Sequence, residues 1–302
     1  MITDNFISNK LSLKVEKGGF KMKVILSRKG FDSANGGIPS PIFEDDTMLS
    51  FPIPSKDHEM DKIAYNELTC NGVLLNKILK DLGYKGDGCC HLDPDLDITK
   101  RVNPVEGWKP AFGQINQSAS YLLNNKIGEG DLFLFFGNFR HVVESKGKYK
   151  FARRNKDSED PYYGREMQAI WGYIQVGKVI SKAEEQKKFL WHPHACNKRI
   201  FGNNNLIFTA AEHLSFAPDM PGCGIFSYNE KRVLSMPGKP KATWKKEKAY
   251  DVDNINEVNN RKSKRKNSAK DPEGIYYAGI WQELVLKDNK DSKDWVKRIF
   301  LL

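Results

Sequence analysis

The sequence predicts an α+β fold built around a mixed sheet with flanking helices. Short apolar runs of strand character alternate irregularly with a few helical periodicities, without the βαβ rhythm of a doubly wound sheet. The chain has 302 residues, enough to bury a sizeable core in one large domain or two small ones. Its 17 Phe, 11 Tyr and 6 Trp argue for a packed interior rather than a disordered chain.

The elements follow in order. Val24-Ile25-Leu26 suits a buried strand, and it stops at Ser27-Arg28-Lys29-Gly30. Asp61 to Leu82 reads as a helix, with Leu74/Leu75, Ile78/Leu79 and Leu82 at helical spacing and Gly83 as its terminator. Asn116 to Asn124 reads as a shorter helix with Ala119, Leu122 and Leu123 inward. Leu132–Phe136, Trp171–Ile180 and Leu206–Ala210 read as strands, the last entered through an Asn203-Asn204-Asn205 turn. Ile280–Leu286 reads as a final strand, and Ser292 as the cap of a last helix running through Trp295 and Ile299. Glu144–Glu166 and Pro237–Gly274 read as charged loops, and no internal repeat is present.

The net charge of +10 favours an acidic partner, nucleic acid or nucleotides first, with solubility alone as the alternative account of such a charge. Within the second loop, Arg261-Lys262-Ser263-Lys264-Arg265-Lys266 places five basic residues in six. They form either a solvated surface run or an arm that tracks phosphates without sequence preference. Cys70, Cys89, Cys90, Cys196 and Cys223 are an odd number without a disulfide-scaffold spacing, so a reducing cytoplasm is the simplest setting. No apolar run approaches the roughly 20 residues needed to cross a bilayer, so no membrane partner is expected, and nothing indicates a protein partner. Residues 1–21 carry Lys10, Lys14, Glu16 and Lys17 and lack a signal-peptide core; they read as an extension ahead of a domain spanning 22–302.

Several constellations carry candidate chemistry. Arg28 offers a rigid fork of donors for phosphate or carboxylate, with Asp32 four residues on and Gly36-Gly37 behind it. An ordinary strand and hairpin, with Arg28 and Asp32 in a salt bridge, is the plain alternative. His91-Leu92-Asp93-Pro94-Asp95-Leu96-Asp97 alternates three carboxylates, which share a face if extended and are able to hold Mg²⁺ or move protons; solvated turn carboxylates are the alternative. Trp191-His192-Pro193-His194-Ala195-Cys196 alternates two imidazoles and a thiol. It fits zinc poorly for want of a nearby fourth ligand, and better a phosphate-contacting or general-base histidine, or a structural pair. Asn138, Phe139, Arg140 and His141 follow a strand and are candidates for lining a base pocket, with Phe133, Phe135 and Trp171 as stacking rings or simply as core. Gln282 and Glu283 are adjacent on the last strand, so only one of them should face a shared site. No P-loop, nucleophile elbow, dinucleotide fingerprint or Cys-x-x-Cys pair occurs.

Ser27-Arg28-Lys29-Gly30-Phe31-Asp32-Ser33 with Gly36-Gly37-Ile38-Pro39-Ser40-Pro41-Ile42 resembles the start of the nucleotide modification associated domain, the third family of that name. Gly130–Gly137, Ile170–Gly177, Trp191–His194 and Trp281-Gln282-Glu283 continue the resemblance, in order, over roughly Met22 to Leu302. Gly130–Phe136 followed by Trp171–Val176 is also similar to the barrels of the PUA-like group, which include readers of modified bases, and this extends the fold expectation to a partly closed β-barrel. The family resemblance implies a bacterial or phage protein linked to modified DNA bases. On that reading Asp32, His91, Asp93, His192 and Glu283 are the catalytic candidates. Arg28, Gln114, Asn138, Arg140, His194 and Gln282 are the ligand-binding candidates, and a divalent metal is a candidate cofactor. The alternatives are a non-catalytic reader of a modified base or signalling nucleotide in phage–host conflict, and a nuclease holding Mg²⁺ on Asp93, Asp95 and Glu283.

Overall fold

A nine-stranded mixed sheet organises the chain. The computed structural model describes residues 21–86, 88–202, 204–255, 274–276 and 282–301. The sheet contains β1 (Val24–Arg28), β2 (Ser40–Ile42), β3 (Ala111–Gln114), β4 (Leu132–Ser145) and β5 (Lys148–Phe151). It continues with β6 (Met167–Ile180), β7 (Leu206–Ala210), β8 (Cys223–Ile225) and β9 (Glu283–Val285). The main path runs β9-β1-β4-β6-β7-β3, with β8 on β6 and with β2 and β5 on the far half of β4. β1 and β2 lie parallel to β4 and the other pairs are antiparallel.

Alternation along the strands divides the core in two. Val24 and Leu26 of β1 join Leu132, Leu134 and Phe136 of β4 on one face, where α3 (Lys290–Phe300) lays Trp295, Val296, Ile299 and Phe300 against them. Ile25, Phe133 and Phe135 point to the other face and meet Phe112, Phe208 and α2 (Asn116–Asn124). Since successive strand residues face opposite sides, both faces of this apolar sheet are covered. The sheet curls strongly. Helix α2, which follows β3 at one end of the path, reaches β9 at the other: Tyr121 Oη accepts from the Val285 N–H (3.0 Å) and Ser118 Oγ donates to Gln282 (3.1 Å). No ladder joins β3 to β9 among the described residues, so the mixed-sheet expectation holds and the sheet does not close into a barrel.

A lobe inserted between β2 and β3 packs a smaller third core of Phe31, Phe51, Tyr65, Leu75 and Ile78. Here the expected helix over Asp61–Leu82 is corrected. Only α1 (Leu75–Asp81) is α-helical; before it come a 3-10 turn (Tyr65–Glu67) and a tight pairing of Thr69–Cys70 with Val73–Leu74. The Asn71-Gly72 pair, with φ of 49° and 76°, supplies the turn that interrupts the helix. The stretch Glu144–Glu166, expected as a loop, begins instead with the β4–β5 hairpin. Asn289 rather than Ser292 caps α3, with Ser292 Oγ accepting in return from the Asn289 N–H. The charged stretch Pro237–Gly274 is partly built into the core: Thr243–Lys245 pairs with Gly274–Tyr276, and Trp244 and Tyr250 are buried. Its basic run Arg261–Lys266, the extension 1–20 and Trp281 lie outside the described residues.

Candidate functional site

Between the sheet and the inserted lobe lies a cavity of about 410 Å³. Four parts of the chain meet at its floor. β1 ends in Ser27, Arg28 and Lys29; the lobe brings Asp61, His91 and Asp93; β3 brings Gly113 and Gln114; and the turn Pro193–Ala195 brings His192 and His194. Two glycines permit the close approaches. A Cβ on Gly113 would lie 2.3 Å from the His194 ring, and one on Gly137 of β4 would lie 2.5 Å from the Lys29 carbonyl oxygen.

Asp93 is the centre of the cluster and is almost wholly buried. Its Oδ1 accepts from the Gly113 N–H at 2.7 Å and lies 3.3 Å from His192 Nε2. Around its Oδ2 stand His91 Nε2 at 3.8 Å, Lys29 Nζ at 3.9 Å and His194 Nε2 at 4.0 Å. Lys29 also reaches Glu283 Oε1 at 3.7 Å and lies over the Phe112 ring at 4.4 Å. Glu283 Oε1 accepts from Ser27 Oγ (3.0 Å) and from Gln114 Nε2, which ties the two end strands together, while its Oε2 is buried without a hydrogen-bond partner.

The imidazole tautomers follow from the second atom of each ring. His91 Nδ1 lies 2.8 Å from Asp61 Oδ1, an oxygen that only accepts, so this nitrogen carries the proton. His194 Nδ1 lies 2.8 Å from Asn205 Oδ1. The Asn205 amide is oriented by its NH₂ group, which donates to Gln186 and to the His194 carbonyl, so His194 is also protonated on Nδ1. His192 is the opposite case. Its Nδ1 accepts from the His194 backbone N–H, which leaves the proton on Nε2, towards Asp93.

The two buried carboxylates are driven apart. Burial would raise the pKa of Asp93, but the adjacent imidazoles and Lys29 outweigh it and hold the carboxyl well below the usual range. Burial raises Glu283, and Lys29, Ser27 and Gln114 offset only part of that. Burial also pushes His194 well below its ordinary value, against the pull of Asp93. Asp61 would be raised by burial, yet the His91 ring and the paired Arg199 guanidinium (2.8 and 3.0 Å) hold it down.

Of the sequence candidates, His91, Asp93, His192, His194, Glu283 and Gln114 converge here. Arg28, Asp32 and Gln282 stand at the rim. Asp32 lies 3.4 Å from Arg28, and its Oδ1 accepts from the N–H groups of Ala34 and Asn35, so its carboxylate organises the local turn. Asn138 and Arg140 do not join. Asn138 lies beside Gln168 within the interior, and Arg140 donates to the Ala152 carbonyl on the far half of β4. Phe139 and Trp171 are core side chains, not walls of this cavity. The three alternate carboxylates disperse: Asp95 pairs with Arg101 (2.7 Å) and Trp108, and Asp97 caps the turn Ile98–Lys100. That removes Asp95 from the expected Mg²⁺ set. Cys196 stands outside the cluster. Sequence reasoning missed Lys29, Asp61, Arg199 and Asn205. Lys29 stood in the open beside Arg28, whereas the other three carry no local signal because they act through partners elsewhere in the chain: Asp61 on the His91 ring, Arg199 on Asp61 and Asn205 on the His194 ring.

Among the described residues, one group of metal-capable side chains gathers: His91, Asp93 and His194 offer ligand atoms within 4.8 Å of one another. No described helix is long and apolar enough to cross a membrane.

A buried charge cluster thus lies at the floor of a cavity between a curled mixed sheet and an inserted lobe. The chain belongs to the family described as nucleotide modification associated domain 3, whose family model matches residues 23–287. Neither the curated proteins nor the solved structures contain a match to it.

Proposed function

We propose that the cavity binds a nucleotide or a nucleobase of DNA and acts on it in the course of base modification. The observation that carries this reading is Lys29, held at the floor between two buried carboxylates whose pKa values move in opposite directions. Such a split is the signature of groups assigned to different tasks. Asp93 stays ionised and supplies fixed negative charge. Lys29 faces the ligand, and Glu283 behind it exchanges the proton. Arg28 at the rim takes a phosphate, with Asp32 orienting its guanidinium rather than serving as base. Gln114 and Gln282 offer amide edges to a base. The volume lies within the roughly 300–1,000 Å³ usual for small-molecule sites, and the net charge of +10 favours an anionic ligand.

The test has two arms. Calorimetric titration with the four deoxynucleoside monophosphates should show binding that Arg28→Ala weakens about tenfold. Mass spectrometry of nucleosides from the DNA of cells expressing the protein should show an altered base that disappears with Lys29→Met. Binding without any altered base in wild type would reduce the protein to a reader of nucleotides. No binding of nucleotides or DNA at all would overturn the reading.

A further inference from the structure

We infer that His91 Nε2, His194 Nε2 and Asp93 Oδ2 hold a divalent first-row transition metal ion at the floor of the cavity. The argument begins with the tautomers. Asp61 fixes the proton of His91 on Nδ1, and Asn205 fixes that of His194 on Nδ1. Both Nε2 lone pairs therefore face a carboxylate oxygen, at 3.8 and 4.0 Å. Three acceptors that converge on one point repel one another unless a cation lies between them. Lys29 Nζ, 3.9 Å from Asp93 Oδ2, is drawn equally towards Glu283 and so supplies that charge only in part.

The surroundings are those of a metal centre. A carboxylate and an amide oxygen hold the two rings from behind, which fixes their orientation and raises their basicity. Each of these supports is itself anchored: Asp61 by both nitrogens of Arg199, and Asn205 by Gln186 and the His194 carbonyl. Two further polar atoms beside the group, His192 Nε2 and Glu283 Oε2, are buried without a hydrogen-bond partner. His192 is not a ligand, because its Nδ1 is occupied and its Nε2 carries the proton. Metal–ligand bonds near 2.1 Å place neighbouring donors roughly 3.0–3.5 Å apart, so a contraction of less than about an ångström per side chain brings these three donors, now within 4.8 Å of one another, onto one ion. Two imidazoles and one carboxylate suit a borderline ion such as Fe²⁺, Co²⁺ or Zn²⁺ better than Mg²⁺. All three ligands line the cavity, so the remaining coordination positions are available to a bound molecule.

This inference does not rest on the nucleotide reading, because the metal is measured alone. The full chain is stripped with chelator and titrated with Co²⁺, read by visible absorption and by mass spectrometry of bound metal. One equivalent is expected. His91→Ala and His194→Ala should each weaken binding at least tenfold, and Asp61→Asn roughly 10- to 100-fold through the ring it orients. Cys196→Ser should leave binding unchanged, whereas a site built on the His-x-His-x-Cys motif would lose it. A wild-type measurement needs no variant to fold. The proton NMR spectrum of the Co²⁺ form should contain two strongly shifted exchangeable imidazole N–H signals, from His91 and His194. No bound Co²⁺, any other number of such signals, or binding that survives both histidine variants would overturn the assignment.

Discussion

Glu283 shows how much a single side chain in this site is governed by its surroundings. Its Oε2 has no partner, and burial lifts its pKa above the ordinary 4.5 despite Lys29, Ser27 and Gln114 on the other oxygen. The sign of the resulting pH dependence follows from linkage. A carboxyl whose folded pKa is raised binds its proton more tightly in the folded chain. It therefore contributes its full stability below the unfolded pKa and loses it as pH rises through the folded one. Glu283→Gln keeps an acceptor oxygen for Ser27 and Gln114 and removes the charge. The variant should be more resistant to urea than wild type at pH 7.5. That advantage should shrink as pH falls and vanish near pH 4.5, with Lys29 and Asp93 as the charged neighbours that modulate it. An advantage that grows towards acid would show that the buried charge is favourable. Glu283 was legible in the sequence as a candidate, yet its coupling to Lys29 was not, because the two lie on neighbouring strands 254 positions apart (283 − 29).

At the scale of elements, strands and helices with unambiguous periodicity were readable and interrupted ones were not. Asn116–Asn124 and Leu206–Ala210 fold over the residues that the pattern predicts. The apolar residues of Leu74–Leu82 have helical spacing, but they do not carry the helix back to Asp61, because Asn71-Gly72 makes a tight turn ahead of them. β4 and β6 each run to 14 residues: β4 continues past Gly137, where the local reading ends it, and β6 begins at Met167, ahead of the expected Trp171. Half of the site was visible as residue types in motifs, whereas the motifs' neighbours on other elements became visible only once the strands were placed. The meeting of β3 with the turn Pro193–Ala195 depends on the missing side chain at Gly113. Gly113→Ala places a methyl group against the His194 ring, and overpacking of this kind costs about 1–3 kcal/mol. The melting temperature should fall by a few degrees, and Co²⁺ affinity should fall with it. An unchanged affinity would mean that His194 has room to retreat without leaving the site.

The whole molecule carries a charge of +10, unevenly distributed along the chain. The cavity offers Arg28, Lys29 and Lys56 to an anion, Arg199 being paired with Asp61, and the run Arg261–Lys266 adds five basic residues. If that run tracks a phosphate backbone, neutralising its five cations should flatten the salt dependence of DNA binding and leave melting temperature unchanged. A salt dependence identical to wild type would assign the run to solubility alone. A nucleotide monomer, by contrast, should bind the cavity equally well with or without these five charges, which separates the site from the arm.

The side-chain bridge between the sheet's two ends has a consequence for how the protein comes into being. Ser27 and Glu283, hydrogen-bonded in the finished molecule, are made 256 positions apart. The pocket floor cannot be complete while the last strand is still inside the ribosome, since β9 supplies the carboxylate behind Lys29 and seats α2 through Val285. Contacts of such sequence separation also carry a large loop-closure cost, which slows folding. The nascent chain thus lacks a finished pocket floor until β9 has left the ribosome and docked on β1.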